Sequence, residues 1–212
     1  MSAPRIRVIK VGGSLFDLED FPARLPIWLG QLDAAHNVFI AGGGDWADSV
    51  RVVDQRFQLG EEISHDLCLE SLRVTARLLQ FLLTRSADVK PGLIANLNEL
   101  RQCLSSNKTF SSNIVFDAGN NLLQTTAEQT AIHLPRNWSV TTDSIAAQVA
   151  AQIGACELVL LKSASFEGGD SRVAAAQQGF VDSFFPIASA PILLVRVVNF
   201  REQNFPSKIL EI

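Results

Sequence analysis

Lysine is scarce in this 212-residue chain: five lysines stand beside thirteen arginines, at Lys10, Lys90, Lys108, Lys162 and Lys208. Any function that needs a primary ammonium group therefore has few candidates. Charge of either kind is sparse, at 19 % of residues, and 22 acids against 18 bases leave −4. A chain with that balance lacks the electrostatic footprint of a nucleic-acid-binding protein. Cys68, Cys103 and Cys156 lie far apart, with no paired-cysteine or Cys/His ligand spacing. That excludes a disulfide framework or a zinc site and reads as small core residues in a reducing compartment. No apolar run approaches the ~20 residues of a membrane span. The start, Met-Ser-Ala-Pro-Arg, leads into a strand-like segment rather than a signal sequence. The expectation is a soluble cytoplasmic protein with neither nucleic acid nor membrane as partner.

Several familiar signatures are also missing. There is no GxGxxG, no GxxxxGK[ST], no HExxH and no GxSxG, so Rossmann dehydrogenases, P-loop ATPases, zincins and α/β-hydrolases lose their marks. The histidines, His36, His65 and His133, share no spacing and read as surface or capping residues.

What is present is an apolar chain, 47 % hydrophobic, with short β-branched runs alternating with helical periodicity. Strands are predicted over Arg5–Val11, Val38–Ala41, Gly92–Ala95, Ile114–Asp117, Leu158–Leu161 and Ile192–Val198. Helices are predicted over Phe21–Leu32, Asp45–Phe57, from Ser64 as a cap through Leu82, from an Asn96 cap onward, and over Ile145–Ile153 after Asp143-Ser144. Residues 118–137 carry no assignment, and 163–171 read as loop. No linker or composition break divides the chain. The pattern predicts one α/β/α domain over residues 1–212, with an open, mainly parallel sheet.

Two glycine clusters, Gly12-Gly13-Ser14 and Gly42-Gly43-Gly44, each follow a strand and precede a helix. In a parallel sheet such loops gather beyond the strands' carboxyl ends, where backbone N–H groups and helix N-termini bind anions. Lys10 ends an otherwise apolar strand two residues before the first cluster. A lysine there needs water or an anion for its ammonium group. A phosphate satisfies Lys10 and accounts for the glycines together.

The segments VIKVGGS (8–14), IAGGG (40–44) and TTDSIA (141–146), in that order, resemble the amino acid kinase family, which includes acetylglutamate, aspartate and uridylate kinases. Within it, GGGDWADSVRVVDQRFQL, ISHDL (63–67) and NWSVTTDSIAA are most similar to the archaeal [5-(aminomethyl)furan-3-yl]methyl phosphate kinase branch of methanofuran biosynthesis, a one-carbon cofactor pathway. The resemblance implies a three-layer amino acid kinase fold and an ATP-dependent transfer, with Mg²⁺, of a phosphoryl group to a phosphate monoester. It implies catalytic roles for Lys10 and Asp143, and nucleotide contacts for Lys10, Gly12, Gly13, Ser14, Lys162 and Ser163. Acceptor contacts are implied for Gly42, Gly43, Gly44, Asp45 and Ser144, with Trp46, His65 and Trp138 as further candidates and no resident metal site. It also implies a homo-oligomer, for which the helix from Ser64 to Leu83 offers an apolar face.

Two departures from the family pattern stand out. The strand Leu158–Leu161 runs into Lys162-Ser163-Ala164-Ser165 instead of the usual Thr-Asp-Val-Asp-Gly loop, with Lys162 or Arg172 left to touch phosphate. The family's second lysine, late in the chain, has no matching position, since only Lys208 follows. An alternative consistent with these departures is a non-catalytic member that binds nucleotide or an oxyanion, as a storage or regulatory subunit.

Overall fold

The computed structural model describes residues 5–86, 91–106, 112–124 and 133–212. Seven strands form one sheet: β1 (Ile6–Val11), β2 (His36–Ala41), β3 (Gly92–Ile94), β4 (Asn113–Phe116), β5 (Glu157–Lys162), β6 (Leu194–Asn199) and β7 (Ser207–Ile209), in the order β3-β4-β2-β1-β5-β6-β7. All neighbours pair in parallel except β7, which runs antiparallel to β6. The α/β class, the parallel sheet and the flanking helices are those expected from the sequence. The expected strands agree with the observed ones to within two residues at either end.

Side-chain alternation along the strands explains the layers. Val8, Val38, Ile40, Leu158, Leu160, Val195 and Val197 face one side, where they pack on α6 (Thr142–Gln152) and α8 (Phe185–Ser189). Ile9, Val11, Phe39, Val159, Leu161 and Val198 face the other, against α1 (Phe21–Leu29) and the second half of α3 (Glu61–Ser86). Both faces are covered, so the strands read as continuous apolar runs. A polar network closes the sheet's other end: Arg7 donates to Glu157 at 2.8 Å, and Arg196 donates to the same carboxylate at 2.9 Å.

Several local expectations change. Ser64 does not cap α3, which begins at Glu61; Ser64 lies inside the first turns with its side chain buried. Asn96 does cap α4 (Leu97–Ser106), accepting from the N–H groups of Asn98 and Glu99. Part of the unassigned stretch forms α5 (Ala118–Gln124), whereas 125–132 lie outside the described residues, as do Lys90 and Lys108. Short helix α7 (Arg172–Gln177), α8 and β7 had no counterpart in the sequence reading. Cys68 and Cys103 are only partly buried, Cys156 is exposed, and none is disulfide-bonded.

Candidate active site

The chain leaves β1 toward β2 on one side and later returns to β5 on the other, so the strand order reverses between β1 and β5. Ligands in open α/β sheets bind beyond the carboxyl ends of strands at such a switch point. Lys10 lies near that end of β1, and Lys162 ends β5. Because β1 pairs Lys10 with Leu160, the period of two places Lys10, Leu160 and Lys162 on the same face, toward α6.

Asp143 rises from the first turn of α6 to meet both lysines. The Lys162 ammonium donates to its Oδ2 at 2.6 Å, and the Lys10 ammonium lies 2.9 Å from Oδ1. The second approach is off the line of a hydrogen bond, so Oδ1 has a counter-charge and no aligned donor. Lys10 is 7 % exposed and Asp143 4 %. Burial alone would raise the Asp143 pKa, but the charges of the two ammonium groups, with the Lys162 hydrogen bond, bring it to about 2. Burial lowers the Lys162 pKa; Asp143 opposes that shift and the like charge of Lys10 adds to it. Two ammonium groups thus converge on one carboxylate in a largely buried site.

The two glycine loops press against each other beside this centre. A Cβ at Gly13 would lie 2.1 Å from the Gly44 nitrogen, and one at Gly42 would lie 2.6 Å from the Gly13 nitrogen. Gly44 also has φ +56°, a conformation that favours glycine. Ser14 of the first loop donates to Ser163 of the loop after β5 at 3.1 Å. The glycines thus let the ends of β1 and β2 meet and bring Ser14 and Ser163 together beside Lys162.

A cavity of about 250 Å³ opens on the β2 side of Lys10. Gly42, Gly43 and Gly44 line it, with Arg51 of α2 (Gly44–Phe57), His65 and Cys68 of α3, and Trp138. Leu69, Leu72, Val140 and Ile145 supply apolar wall. The Arg51 guanidinium sits 5.1 Å from the Trp138 ring centre, and the indole N–H donates to Asp54. Burial lowers the His65 pKa, so its imidazole is neutral at pH 7. A second cleft of about 240 Å³ lies between the loop Ala164–Glu167 and the β6–β7 turn, lined also by Asn199 and Lys208.

Several expected contacts move. Asp45 and Trp46 do not line the cavity: both are exposed on α2, Trp46 at 43 %. The aromatic wall comes instead from Trp138, whose segment crosses above α2. Ser144 is fully buried and donates its hydroxyl to Asp182. Arg172 is 1 % exposed, and its guanidinium donates to the carbonyls of Leu210, Ser189 and Ile192, so it is a clasp rather than a phosphate ligand. Histidine burial is also greater than expected: His36 is a buried partner of Ser112, while His65 faces the cavity. The residue that sequence reasoning missed is Asp182, which binds the first turn of α6.

The site geometry coincides with a shared fold. The structure superposes on UMP kinase from Bacillus anthracis with a TM-score of 0.65 and 13 % identity, covering 95 % of this chain and 90 % of that one. UMP kinase from Ureaplasma parvum gives 0.65 and 13 %, covering 95 % and 92 %. Uridylate kinase from Archaeoglobus fulgidus gives 0.57 and 12 %, covering 98 % and 91 %. The chain has the amino acid kinase fold. No protein-family model matches its sequence, and no curated protein matches it either. At 12–13 % identity the likeness concerns architecture; acceptor and chemistry must be argued from the residues.

Proposed function

We propose that this protein is an ATP-dependent small-molecule kinase that transfers the γ-phosphoryl group of ATP to an oxygen of a phosphate monoester. The observation that carries this reading is the meeting of Lys10 and Lys162 on Asp143 at the switch point, beside the cavity that Lys10 lines. Phosphoryl transfer asks a protein mainly for positioning and for neutralising charge on the transferred group. Lys10 and Lys162 supply that charge, and Asp143 holds both ammonium groups in place. Gly12, Gly13, Ser14 and Ser163 flank the donor phosphates, and the cleft beside Asn199 and Lys208 takes the nucleoside. In the step itself an acceptor phosphate oxygen bonds to the γ-phosphorus. The bond from that phosphorus to the β–γ bridging oxygen breaks, and ADP leaves with its electron pair.

The described residues contain no group of three or more His, Cys, Asp or Glu able to hold a metal. Asp143 is already occupied by two lysines. Mg²⁺ would therefore be supplied with ATP, neutralising phosphate charge alongside Lys10 and Lys162.

The acceptor lies in the first cavity, its phosphate toward Gly42–Gly44 and Lys10 and its body against Trp138, His65 and the leucines. An aromatic-bodied monoester suits those walls. The branch resemblance makes aminomethylfuran methyl phosphate the first compound to test. With Mg·ATP and a panel of monoesters including UMP, ADP release should depend on one acceptor. Lys10→Ala should lower that turnover by roughly 10³-fold, the size of arginine-finger effects, while keeping the wild-type melting temperature. Tight ATP binding with no transfer to any acceptor would instead indicate the non-catalytic nucleotide-binding reading.

A further inference from the structure

Asp182 sits between α7 and α8, far along the chain from the glycine loops, yet its carboxylate organises the first turn of α6. Its Oδ2 accepts from the Thr141 N–H at 2.9 Å, the Thr141 hydroxyl at 2.8 Å and the Ser144 N–H at 3.0 Å. Its Oδ1 accepts from the Ser144 hydroxyl. The unpaired N–H groups that open a helix are ordinarily satisfied by a local Ser, Thr, Asp or Asn. Here Thr141 is the cap residue and makes one long contact, 3.4 Å, to the Asp143 N–H. From outside the helix, Asp182 accepts the Ser144 N–H and holds the cap residue Thr141 itself. Asp143, an acid in the first turn, is thereby freed from capping, and its carboxylate turns to the lysines.

The same segment reaches the other half of the charge centre. The Phe180 carbonyl accepts from the Lys162 ammonium at 2.8 Å, and the Phe180 ring centre lies 5.2 Å from that nitrogen. Phe184 N–H donates to the Ser139 carbonyl at 3.2 Å, fastening the segment to the approach to α6. We infer that Asp182 is a positioning residue: by fixing the α6 turn, and with Phe180 alongside, it holds Asp143 and Lys162 in the geometry that binds the transferred phosphoryl group. The arrangement is costly. Burial raises the Asp182 pKa, and the neighbouring charge of Asp143 adds to the shift, while the hydrogen bonds from Ser144 and Thr141 oppose it. Two carboxylates this close persist because each has its own donors.

The catalytic consequence rests on the kinase reading, but the geometric one does not, and a two-part experiment separates them. In the full chain, ligand-free and labelled with ¹⁵N-lysine, the ζ-ammonium signals are assigned with Lys10→Arg and Lys162→Arg variants. Asp182→Ala should shift or broaden the Lys10 and Lys162 signals and leave that of Lys208 in place. Asp182→Asn can keep an oxygen where three donors converge, and should shift the Lys10 and Lys162 signals less than Asp182→Ala does, leaving that of Lys208 in place. With Mg·ATP and acceptor, Asp182→Ala should lose about 10²-fold in kcat, the penalty of a 1 Å misplacement, with KM for ATP within about threefold. Asp182→Asn should stay within about threefold of wild type in kcat. A folded Asp182→Ala protein with unmoved lysine signals overturns the inference, as does an Asp182→Asn protein perturbed as strongly as the alanine variant. If Asp182→Ala fails to fold, Ser144→Ala decides: a smaller shift of the same two signals supports the inference, and no shift contradicts it. Absence of turnover in the wild type would count against the kinase reading alone, because the lysine signals are read without substrate.

Discussion

One carboxylate, Asp143, contacts two ammonium groups in the buried centre, so its three members should not be equivalent in stability. Replacing Lys162 by Met leaves Asp143 balanced by Lys10 and removes an ammonium group whose charged form burial disfavours. Replacing Asp143 by Asn leaves two cations facing each other without the carboxylate they share. Breaking a buried pair in that way costs about 3–5 kcal/mol. Urea unfolding should therefore show Asp143→Asn losing several times more stability than Lys162→Met, and added sulfate should restore part of the asparagine variant's loss. Equal losses would mean that the lysines are not held by this one acid. Lys10 was legible from its place beside a glycine loop. Lys162 was legible as a lysine in a loop that departs from the family pattern, but its partnership with Lys10 was not. Seeing that needs the β1–β5 register, which aligns alternate residues on two strands far apart in sequence. The expectation that the second lysine is missing came from looking for it late in the chain, whereas β5 brings one to the same carboxylate.

At the level of elements, the two glycine loops and the start of α6 form the site only because their backbones approach closely. Gly13→Ala would place a Cβ against the Gly44 nitrogen, and neither backbone can yield without moving a strand end. Overpacking of this kind costs roughly 1–3 kcal/mol. The variant should melt below wild type and bind ATP weakly; an unchanged melting temperature would mean that the loops are not in contact. Strands were legible as short, β-branched apolar runs and long helices by their period of 3.6. Asp182 was not, since nothing in Val181-Asp182-Ser183 marks it as the cap of a helix on another part of the chain. Trp46, two residues after the triple glycine, and Trp138 were both candidates for the cavity. Helical geometry turns Trp46 outward, and Trp138 arrives from a distant loop.

At the scale of the whole molecule, the described residues show an exposed apolar stripe on α3 and α2. On α3, Leu67, Val74 and Phe81 recur at heptad spacing and are 41–60 % exposed, with Ile63 beyond them and Trp46, Val53 and Phe57 exposed on neighbouring α2. Val74 lies near the midpoint of α3, and Glu70 and Arg77 flank it on the same stripe. A two-fold axis there sets Leu67 opposite Phe81 of a second copy and Glu70 near its Arg77, a self-complementary pattern. Two helices side by side, with α3 about 39 Å long at 1.5 Å per residue, present roughly the 800 Å² per partner of a stable interface. The chain should therefore form a homodimer, with light scattering giving twice the 23.1 kDa chain mass. Val74→Glu should return it to a monomer. A wild-type mass of one chain would contradict the pairing. The opposite face of α3 supplies His65, Cys68, Leu69 and Leu72 to the cavity, so the same helix would serve both surfaces.

The central claim is that the centre formed by Lys10, Lys162 and Asp143 moves a phosphoryl group, and ³¹P NMR of one reaction mixture tests it most directly. With Mg·ATP and the aromatic monoester, the γ signal of ATP should decline while ADP and a new pair of coupled diphosphate signals grow in step. The Lys10→Ala and Lys162→Ala proteins, folded, should leave the spectrum unchanged over the same interval. A diphosphate formed as fast by either variant as by the wild type would contradict the account.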